Sequence, residues 1–519
     1  FGCINFNKER DFLKKFCLSV ITFMKNKGFR RIHCGCSGLD KGVTDKNARA
    51  GRVVLGQAWT ALHAACRRGP FGFCDYESLA HPEYFPLNHE SRSVRSKLQR
   101  RWKNSHCHSL VYFVPDYKQV KEVADLVVRF FGNHEYVVSE KGFFVIRCDS
   151  TAEDSRQWAE ELISRITSEQ GNGLSLSAGI SGYPFQDYTK TEIIRNCQKA
   201  ILHAEFFGYG SVAVFDALSL NISGDVYYGE GDLAGAVREY RQGLKIDAAN
   251  INLLNSLGVT YALMNRAIEA RQLFQKVLEL EPSNFMALYN RGLGEQANLD
   301  YATAASCFLA AFEAFDPDDS DEPGLLTDLF YQLGTVYFCN GEYEKALEWL
   351  EKWYEQQDDS RGRGKCCCPI GISYYKLGQT NKAMTWLQRA LAFAEDDAEA
   401  LSILGSLYLA EKEGNDIALK LMEKSLELES GSRQFMLRYA RGLNECGRYT
   451  EAAAVLSECL ASRKFKAAAW LELSLSFKGL KKYNKMRYYL NKILGNGSVL
   501  PEIKEKAKAL YSEMIAETG

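Results

Sequence analysis

Residues 251–284 read INLLNSLGVTYALMNRAIEARQLFQKVLELEPSN, and this stretch decides the fold of the larger part of the chain. Leu257-Gly258, Tyr261, Ala270 and Phe274 set small and large apolar side chains on the facing sides of two short helices, and Pro282 stops the second. Gly258 and Ala270 are small where the helices cross, while Tyr261 and Phe274 fill the space beside them. The register returns with a period of about 34: Gly224, Tyr227, Ala236 and Tyr240 one unit earlier, Gly292, Ala304, Phe308 and Ala311 one unit later. After the acidic insertion Asp316-Pro317-Asp318-Asp319-Ser320-Asp321-Glu322-Pro323 it resumes with Leu333-Gly334, Tyr337, Ala346 and Leu350, then Gly371, Tyr374, Ala383 and Ala390, then Gly405 and Tyr408. Two looser units carry Ala440, Ala452 and Leu456, then Trp470, Leu473, Phe477 and Leu490. Pro501 opens a final helix whose Lys504, Glu505, Lys506 and Lys508 suit a solvent-facing cap. The pattern predicts about eight helix pairs over 218–500, with spacing kept to the residue, and a capping helix over 501–519.

This pattern closely resembles the tetratricopeptide repeat (TPR). The resemblance implies an all-α superhelical solenoid in which the first helix of each repeat lines a concave groove used for peptides and partner domains. On that reading Asn252, Asn255, Tyr289, Asp328, Tyr331, Lys365, Tyr375, Arg441 and Asn444 face the groove. Chaperone-binding members of the family hold a C-terminal carboxylate with a Lys/Asn set on neighbouring repeats. That set is missing from the groove positions here, so a carboxylate clamp is not expected.

Residues 108–217 follow another pattern. Apolar strands at Leu110–Val114, Tyr136–Val138, Phe143–Cys148, Leu174–Ile180 and Ser211–Phe215 alternate with helices from Glu153 to Ile166 and from Lys190 to Phe206, which predicts an α/β domain. Leu176-Ser177-Ala178-Gly179-Ile180-Ser181-Gly182-Tyr183-Pro184, followed by Ala200, His203-Ala204-Glu205, Gly208 and Val212–Phe215, resembles the C-terminal half of the GGDEF family of nucleotide cyclases. The pattern occurs a second time. Phe1–Phe6 reads like Phe143–Cys148, and Ile32-His33-Cys34-Gly35-Cys36-Ser37-Gly38-Leu39 like the strand that ends in the Ser181-Gly182 turn. Ala61-Leu62-His63-Ala64 with Gly69 reads like Ile201–Gly208, and Phe73–Asp75 like Val214–Asp216. The expected organisation is a truncated GGDEF-like half-domain over 1–80, a basic helical linker over 81–107 with its helix at Ser91–Asn104, and a second GGDEF-like domain over 108–217.

In that family the signature hairpin brings two glycines against the guanine nucleotide, and an acidic third residue joins a first-strand Asp in holding Mg²⁺. The aligned residues here are Ser139, Glu140, Lys141, Gly142 and Phe143. An ammonium at 141 stands where a metal-binding carboxylate belongs, two side chains replace the glycines, and Asp116 arrives only after Pro115. The family's product-inhibition motif would fall on Phe130–Asn133 and is absent. No catalysis, cofactor or metal is expected from this copy.

Composition agrees with a packed protein. The chain has 519 residues, 46% apolar, 25% charged and only 10 Pro, with no apolar run near the ~20 residues needed to span a bilayer. Sixteen cysteines sit mostly inside apolar patterns, as reduced thiols would. Cys34 and Cys36 with His33, and His106-Cys107-His108, lack the paired knuckles of a zinc site. Cys366-Cys367-Cys368 opens a repeat helix and serves its packing. Residues 1–108 hold 20 Lys/Arg against 8 Asp/Glu, a net +12, and the remainder carries −13. The basic helix with Arg92, Arg95, Lys97, Arg100, Arg101 and Lys103 has only Trp102 among its charges, so nucleic acid is not the expected partner.

These readings predict a cytoplasmic, bacterial-type signalling or assembly scaffold. It grips protein partners through the TPR groove and docks or dimerises through catalytically dead cyclase-like domains. The alternative is a diguanylate cyclase, converting GTP to cyclic di-GMP, whose active copy is the first domain with its signature upstream of Phe1.

Overall fold

The computed structural model describes residues 10–29, 31–37, 48–68, 71–79, 87, 90–103, 105–116, 120–170, 174–316, 324–357, 360–412, 414–462 and 464–518. Phe1–Phe6, Gly38, Leu39, Gly69, Asn104 and most of the acidic insertion, 317–323, lie outside the described residues. The chain divides into two compact units, Phe1–Asn290 and Arg291–Gly519.

The first unit opens with α1 (Arg10–Asn26), β1 (Cys34–Cys36), α2 (Ala48–Arg67) and β2 (Phe73–Asp75). β1 and β2 form a two-stranded parallel sheet with Gly35 opposite Cys74. A five-stranded mixed sheet follows: α3 (Arg92–Arg101), β3 (His108–Pro115), α4 (Val120–Val128), β4 (Glu135–Val138), β5 (Phe143–Cys148), α5 (Ala152–Gln170), β6 (Leu176–Tyr183), α6 (Ile193–Phe206) and β7 (Val212–Val214). Its strand order is β4-β5-β3-β6-β7, antiparallel except for the β6–β7 pair.

The period of two along each strand divides the core into two layers. Val111, Phe113, Phe143, Val145 and Ile180 face Val123 and Val127 of α4 and Leu162 and Ile166 of α5. Leu110, Tyr112, Phe144 and Ile146 face Val94 and Leu98 of α3 and Ile194, Cys197 and Ile201 of α6. The basic helix is therefore a packing element: its apolar side lies on the sheet, and Trp102 stacks on His108 with centroids 5.2 Å apart.

Ser181-Gly182, expected to form a turn, instead continues β6 to Tyr183, because both residues pair with β3. At Gly179 the strand runs against the backbone of α6; an added Cβ would collide with the Cys197 carbonyl and the Ile201 amide. Gly35 meets the Ala58 carbonyl and the Leu62 amide of α2 in the same way. This pairing corrects the sequence alignment of the two halves. Leu62 matches Ile201, one residue from the expected register, and Phe73–Asp75 matches Val212–Val214 rather than Val214–Asp216.

Two helix pairs complete the first unit: α7 (Ala217–Gly229) with α8 (Leu233–Ile246), and α9 (Ile251–Leu263) with α10 (Ala267–Leu280). The division between units falls within α11 (Phe285–Ala297). Beyond it come α12 (Tyr301–Ala314), α13 (Gly324–Asn340), α14 (Tyr343–Gln356), α15 (Ser360–Lys376), α16 (Thr380–Phe393), α17 (Ala398–Ala410), α18 (Asn415–Leu428), α19 (Arg433–Glu445), α20 (Tyr449–Cys459), α21 (Lys466–Gly479), α22 (Tyr483–Leu494) and α23 (Pro501–Thr518).

Within the pairs the glycine holes are filled as the sequence implies. Gly258 lies under the Phe274 ring, Gly292 under Phe308, Gly334 under Leu350 and Gly371 under Leu387, each filler sixteen residues on. The spacing does not hold throughout: Gly405 takes Met422, seventeen on, because 411–414 is one residue longer than 264–266 and ends on Gly414 at φ +66°. Cys366–Cys368 lies inside α15 rather than at its start. Cys366 and Cys367 are fully buried, with Pro369 next in the helix. No described helix is long and apolar enough to cross a membrane.

Candidate functional site

A pocket of about 370 Å³ opens in the first unit between α7, α9 and the start of α11. It is lined by Asn221, Asp225 and Tyr228 of α7, Tyr240 of α8, Asn252, Asn255, Ser256 and Val259 of α9, and Met286 and Asn290 of α11. The spacing of 34 puts Asn221 and Asn255 at equivalent places on successive first helices, and an N-cap bond from Leu253 N–H to Asn250 Oδ1 (3.1 Å) starts α9 one residue before Asn252.

The polar network inside is incomplete. Asn221 Nδ2 donates to Asp225 Oδ2 (3.2 Å), Tyr240 donates its hydroxyl to Asp225 Oδ1 (2.6 Å), and Asn255 Nδ2 donates to Asn284 Oδ1 (3.2 Å). Asn221 Oδ1, Asn255 Oδ1 and Asn290 Nδ2 have no partner. Two acceptors and a donor are thus buried without a partner in the wall of one pocket, where leaving a polar atom unpaired costs about 1–3 kcal/mol. Burial pushes the Asp225 carboxyl above the usual carboxylate range, and the Tyr240 hydroxyl pulls it back.

The nine expected groove residues separate into groups. Asn252 and Asn255 line this pocket. Tyr289 is turned inward, 8% exposed and stacked on Phe285 at 5.9 Å, and its neighbour Asn290 takes the pocket-lining place. In the second unit Asp328 and Lys365 are exposed, Tyr331 packs on Trp353 at 5.0 Å, and Tyr375 is half-buried with the Lys376 ammonium 5.9 Å away. Arg441 and Asn444 line a separate pocket of about 970 Å³. There Arg441 Nε donates to Glu472 Oε1 (2.9 Å), while Asn444 donates to the Glu472 carbonyl (3.0 Å) and accepts from Ser476 Oγ (2.7 Å). Sequence reasoning missed Asn221, Asp225 and Asn290; the 34-residue period applied backward from Asn255 finds the first.

The aligned signature residues form a tight turn between β4 and β5. Ser139 N–H donates to the Gly142 carbonyl (2.8 Å), and Gly142 lies where a Cβ would strike the Phe113 carbonyl. Glu140 is exposed and Phe143 fully buried. Lys141 edges a pocket of about 470 Å³ with Tyr112, Val114, Gln198, Glu205, Ile222 and Val226. Burial draws its ammonium down to about 8 against the pull of Glu140, Glu205 and Glu90. Asp116 is engaged elsewhere, accepting from the hydroxyls of Ser175 and Ser177 (2.7 Å for Ser177) and from Gly210 N–H (3.1 Å).

His203, Asp216 and Ser219 also meet, at the start of α7. Ser219 Oγ and Asp216 Oδ1 both face the same ring nitrogen, Nδ1, at 3.0 and 3.4 Å, so no proton relay of the Ser-His-Asp type runs through the ring. Instead Asp216 accepts from Ser219 N–H (2.8 Å) as a helix cap. His108 is sealed in the sheet with both nitrogens unpartnered, and burial followed by the Lys190 charge takes it down to about 4.

TPR family models match residues 224–265, 251–280 and 325–396. The BBSome complex member BBS4 of Bos taurus is 22% identical over 275 residues, 51% of this chain and 50% of that protein. Superkiller complex protein 3 of Mus musculus is 27% identical over 244 residues, 45% of this chain and 15% of that protein. The chain thus spans half or less of these curated relatives. The crystal structure of the APC/C hetero-tetramer Cut9-Hcn1 aligns with 16% identity over 64% of this chain and 60% of that one, at a TM-score of 0.36. The residues matched by the family models all lie beyond residue 223, and the C-terminal half of this chain is a tetratricopeptide-repeat region.

Proposed function

We propose that the chain is a non-catalytic scaffold whose repeats hold an extended segment of a partner protein across the amide-lined pocket of α7, α9 and α11. One observation carries this reading: three amide atoms, Asn221 Oδ1, Asn255 Oδ1 and Asn290 Nδ2, are left unpartnered there. A primary amide offers both donors and acceptors, so such a set matches the alternating C=O and N–H groups of an extended main chain without demanding a particular side chain. The proposed organisation keeps a cyclase-like half-domain over 1–80, a basic helical connection over 81–107 whose helix packs on the sheet of the second domain, a second cyclase-like domain over 108–217, repeats over 218–500 and a cap over 501–519. The two α/β regions serve docking or dimerisation in a cytoplasmic protein. The Lys141 ammonium and the engagement of Asp116 with Ser175, Ser177 and Gly210 support the absence of a metal-dependent reaction in the second.

The test is selection of binders from a displayed random-peptide library with the full chain, then affinity measurement against Asn221→Ala/Asn255→Ala/Asn290→Ala. Three lost neutral hydrogen bonds are worth about 3 kcal/mol together, or roughly a hundredfold in Kd. Peptides that bind the triple variant equally well would remove the pocket from the reading. Formation of a cyclic dinucleotide from GTP with Mg²⁺ or Mn²⁺ by the same chain would restore the cyclase alternative.

A further inference from the structure

The cavity of about 470 Å³ that Lys141 edges opens between β3, α6 and α7, and its size falls within the roughly 300–1,000 Å³ usual for small-molecule sites. Its walls are mostly apolar: Tyr112 and Val114 of β3, Ile201 and Leu202 of α6, and Ile222 and Val226 of α7. Tyr112 and Ile201 are buried and the other four half-buried. Two charges of opposite sign share this lining. Lys141, from the turn between β4 and β5, is half-buried, and Glu205, near the end of α6, is exposed at the opening. Among the described residues the Glu205 carboxylate accepts no hydrogen bond and lies in no ion pair. Glu90 and Glu140, the other acids close to Lys141, lie outside the lining: Glu90 accepts from Gln198 Nε2 at 3.2 Å, and Glu140 is exposed.

We propose that this cavity binds a free apolar α-amino acid, with the ligand's carboxylate on Lys141, its ammonium on Glu205 and its side chain among Val114, Ile201, Leu202, Ile222 and Val226. Charge complementarity selects this class over simpler ligands. A wholly apolar molecule would shield both lining charges from water and pair neither. An apolar carboxylate would match Lys141 but lie beside Glu205, and an apolar amine would match Glu205 but lie beside Lys141. A zwitterion with an apolar body meets both charges with opposite ones and gives the walls the surface they fit. Burial already pulls the Lys141 ammonium down, so a carboxylate beside it returns part of the solvation it has lost. Asp116, whose charge also reaches Glu205, is occupied by Ser177 Oγ (2.7 Å) and Gly210 N–H (3.1 Å) and does not line the cavity.

Isothermal titration of the full chain with L-phenylalanine or L-leucine should give a saturable isotherm, whereas glycine, which has no apolar body, should give none. 2-Phenylethylamine lacks the carboxylate and 3-phenylpropionate lacks the amine; each loses a charge-assisted hydrogen bond and should bind about tenfold more weakly or worse. Lys141→Gln should weaken phenylalanine by a similar factor without weakening 2-phenylethylamine. Glu205→Gln should weaken phenylalanine without weakening 3-phenylpropionate. Circular dichroism checks that both variants fold, and the analogue series on the parent chain decides the matter if one does not. No saturable binding of phenylalanine or leucine, equal affinity for phenylalanine and either analogue, or an unchanged phenylalanine affinity in either folded variant would overturn the proposal.

Discussion

The halves α1–β1–α2–β2 and α5–β6–α6–β7 share one plan: two parallel strands, a connecting helix pressed on the first, and a glycine at the point of closest approach. Gly35 meets Ala58 and Leu62 as Gly179 meets Cys197 and Ile201, and Ala61 and Ala65 are fully buried at the places Ala200 and Ala204 occupy. What differs is how much is built on each. β6 pairs on its far side with β3, and its first six residues are buried. All three residues of β1 are half-buried. The same local solution thus sits at the centre of one sheet and in a two-strand pair in the other. Position in the sheet, more than the motif, sets how much a change at the glycine costs.

Substituting both glycines measures that difference directly. Gly179→Val forces α6 off a strand that carries both core layers, and overpacking against backbone, which cannot rotate away, should cost on the order of 4 kcal/mol or more. Gly35→Val meets an equally close helix, but fewer layers depend on it, so a loss of about 2 kcal/mol is expected. Chemical denaturation followed by the fluorescence of Trp102 and Trp158 reads the first effect, and hydrogen exchange over 48–79 the second. Equal losses would mean that the two halves are one cooperative body.

A second contrast lies on the connecting helices. Lys199 of α6 reaches Glu239 of α8 at 2.6 Å with both side chains under 10% exposed, and Ser223 Oγ donates to the same carboxylate at 2.9 Å. The matching residue of α2 is Thr60, whose hydroxyl returns to the Gly56 carbonyl at 3.2 Å. Burial lowers the Lys199 pKa, and Glu239 opposes that shift. Lys199→Ala leaves Glu239 buried without its countercharge, which should cost about 3–5 kcal/mol, whereas Lys199→Met with Glu239→Leu should recover most of it. Thermal melts of the two variants and of Thr60→Ala, expected to lie within about 0.5 kcal/mol of the parent, test whether only the second half is welded to the repeats by charge.

The repeats were legible because each one repeats a local rule. A glycine and its filler sixteen residues on report a helix crossing without any long-range knowledge, and only the extra residue at 411–414 broke the count. The sheet was partly legible: alternation placed its strands to within two or three residues, but α4 was missed because Val120-Lys-Glu-Val-Ala-Asp-Leu-Val-Val is short and rich in β-branched residues. Of the residues that helical phase puts toward the groove, Asn252 and Asn255 line the α7–α9–α11 pocket, while Asn290 lies there in place of Tyr289, since phase does not tell whether a ring prefers the interhelical core.

The closing strands offer the smallest contrast. Asp75, at the end of β2, caps a single turn at 76–78, with Glu77 N–H at 3.4 Å from its carboxylate. Asp216, just past β7, caps all of α7 through Ser219 in a reciprocal capping box and lies beside His203. Burial alone raises the Asp216 pKa, but the bonds from His203 and Ser219 outweigh it, so the carboxyl ends below its usual range. A depressed acid contributes stability above its unfolded pKa of about 3.9 and loses it as pH falls through the lower folded value. The side chain is half exposed, so solvent screens much of this effect, and the cap itself sets the scale at about 1 kcal/mol. Asp216→Ala should therefore lower the unfolding midpoint modestly at neutral pH and converge on the parent as pH falls through the lowered folded pKa of Asp216. Asp75→Ala, with only one turn to lose, should move the midpoint less at every pH, and a larger shift there would reverse the ranking of the two halves.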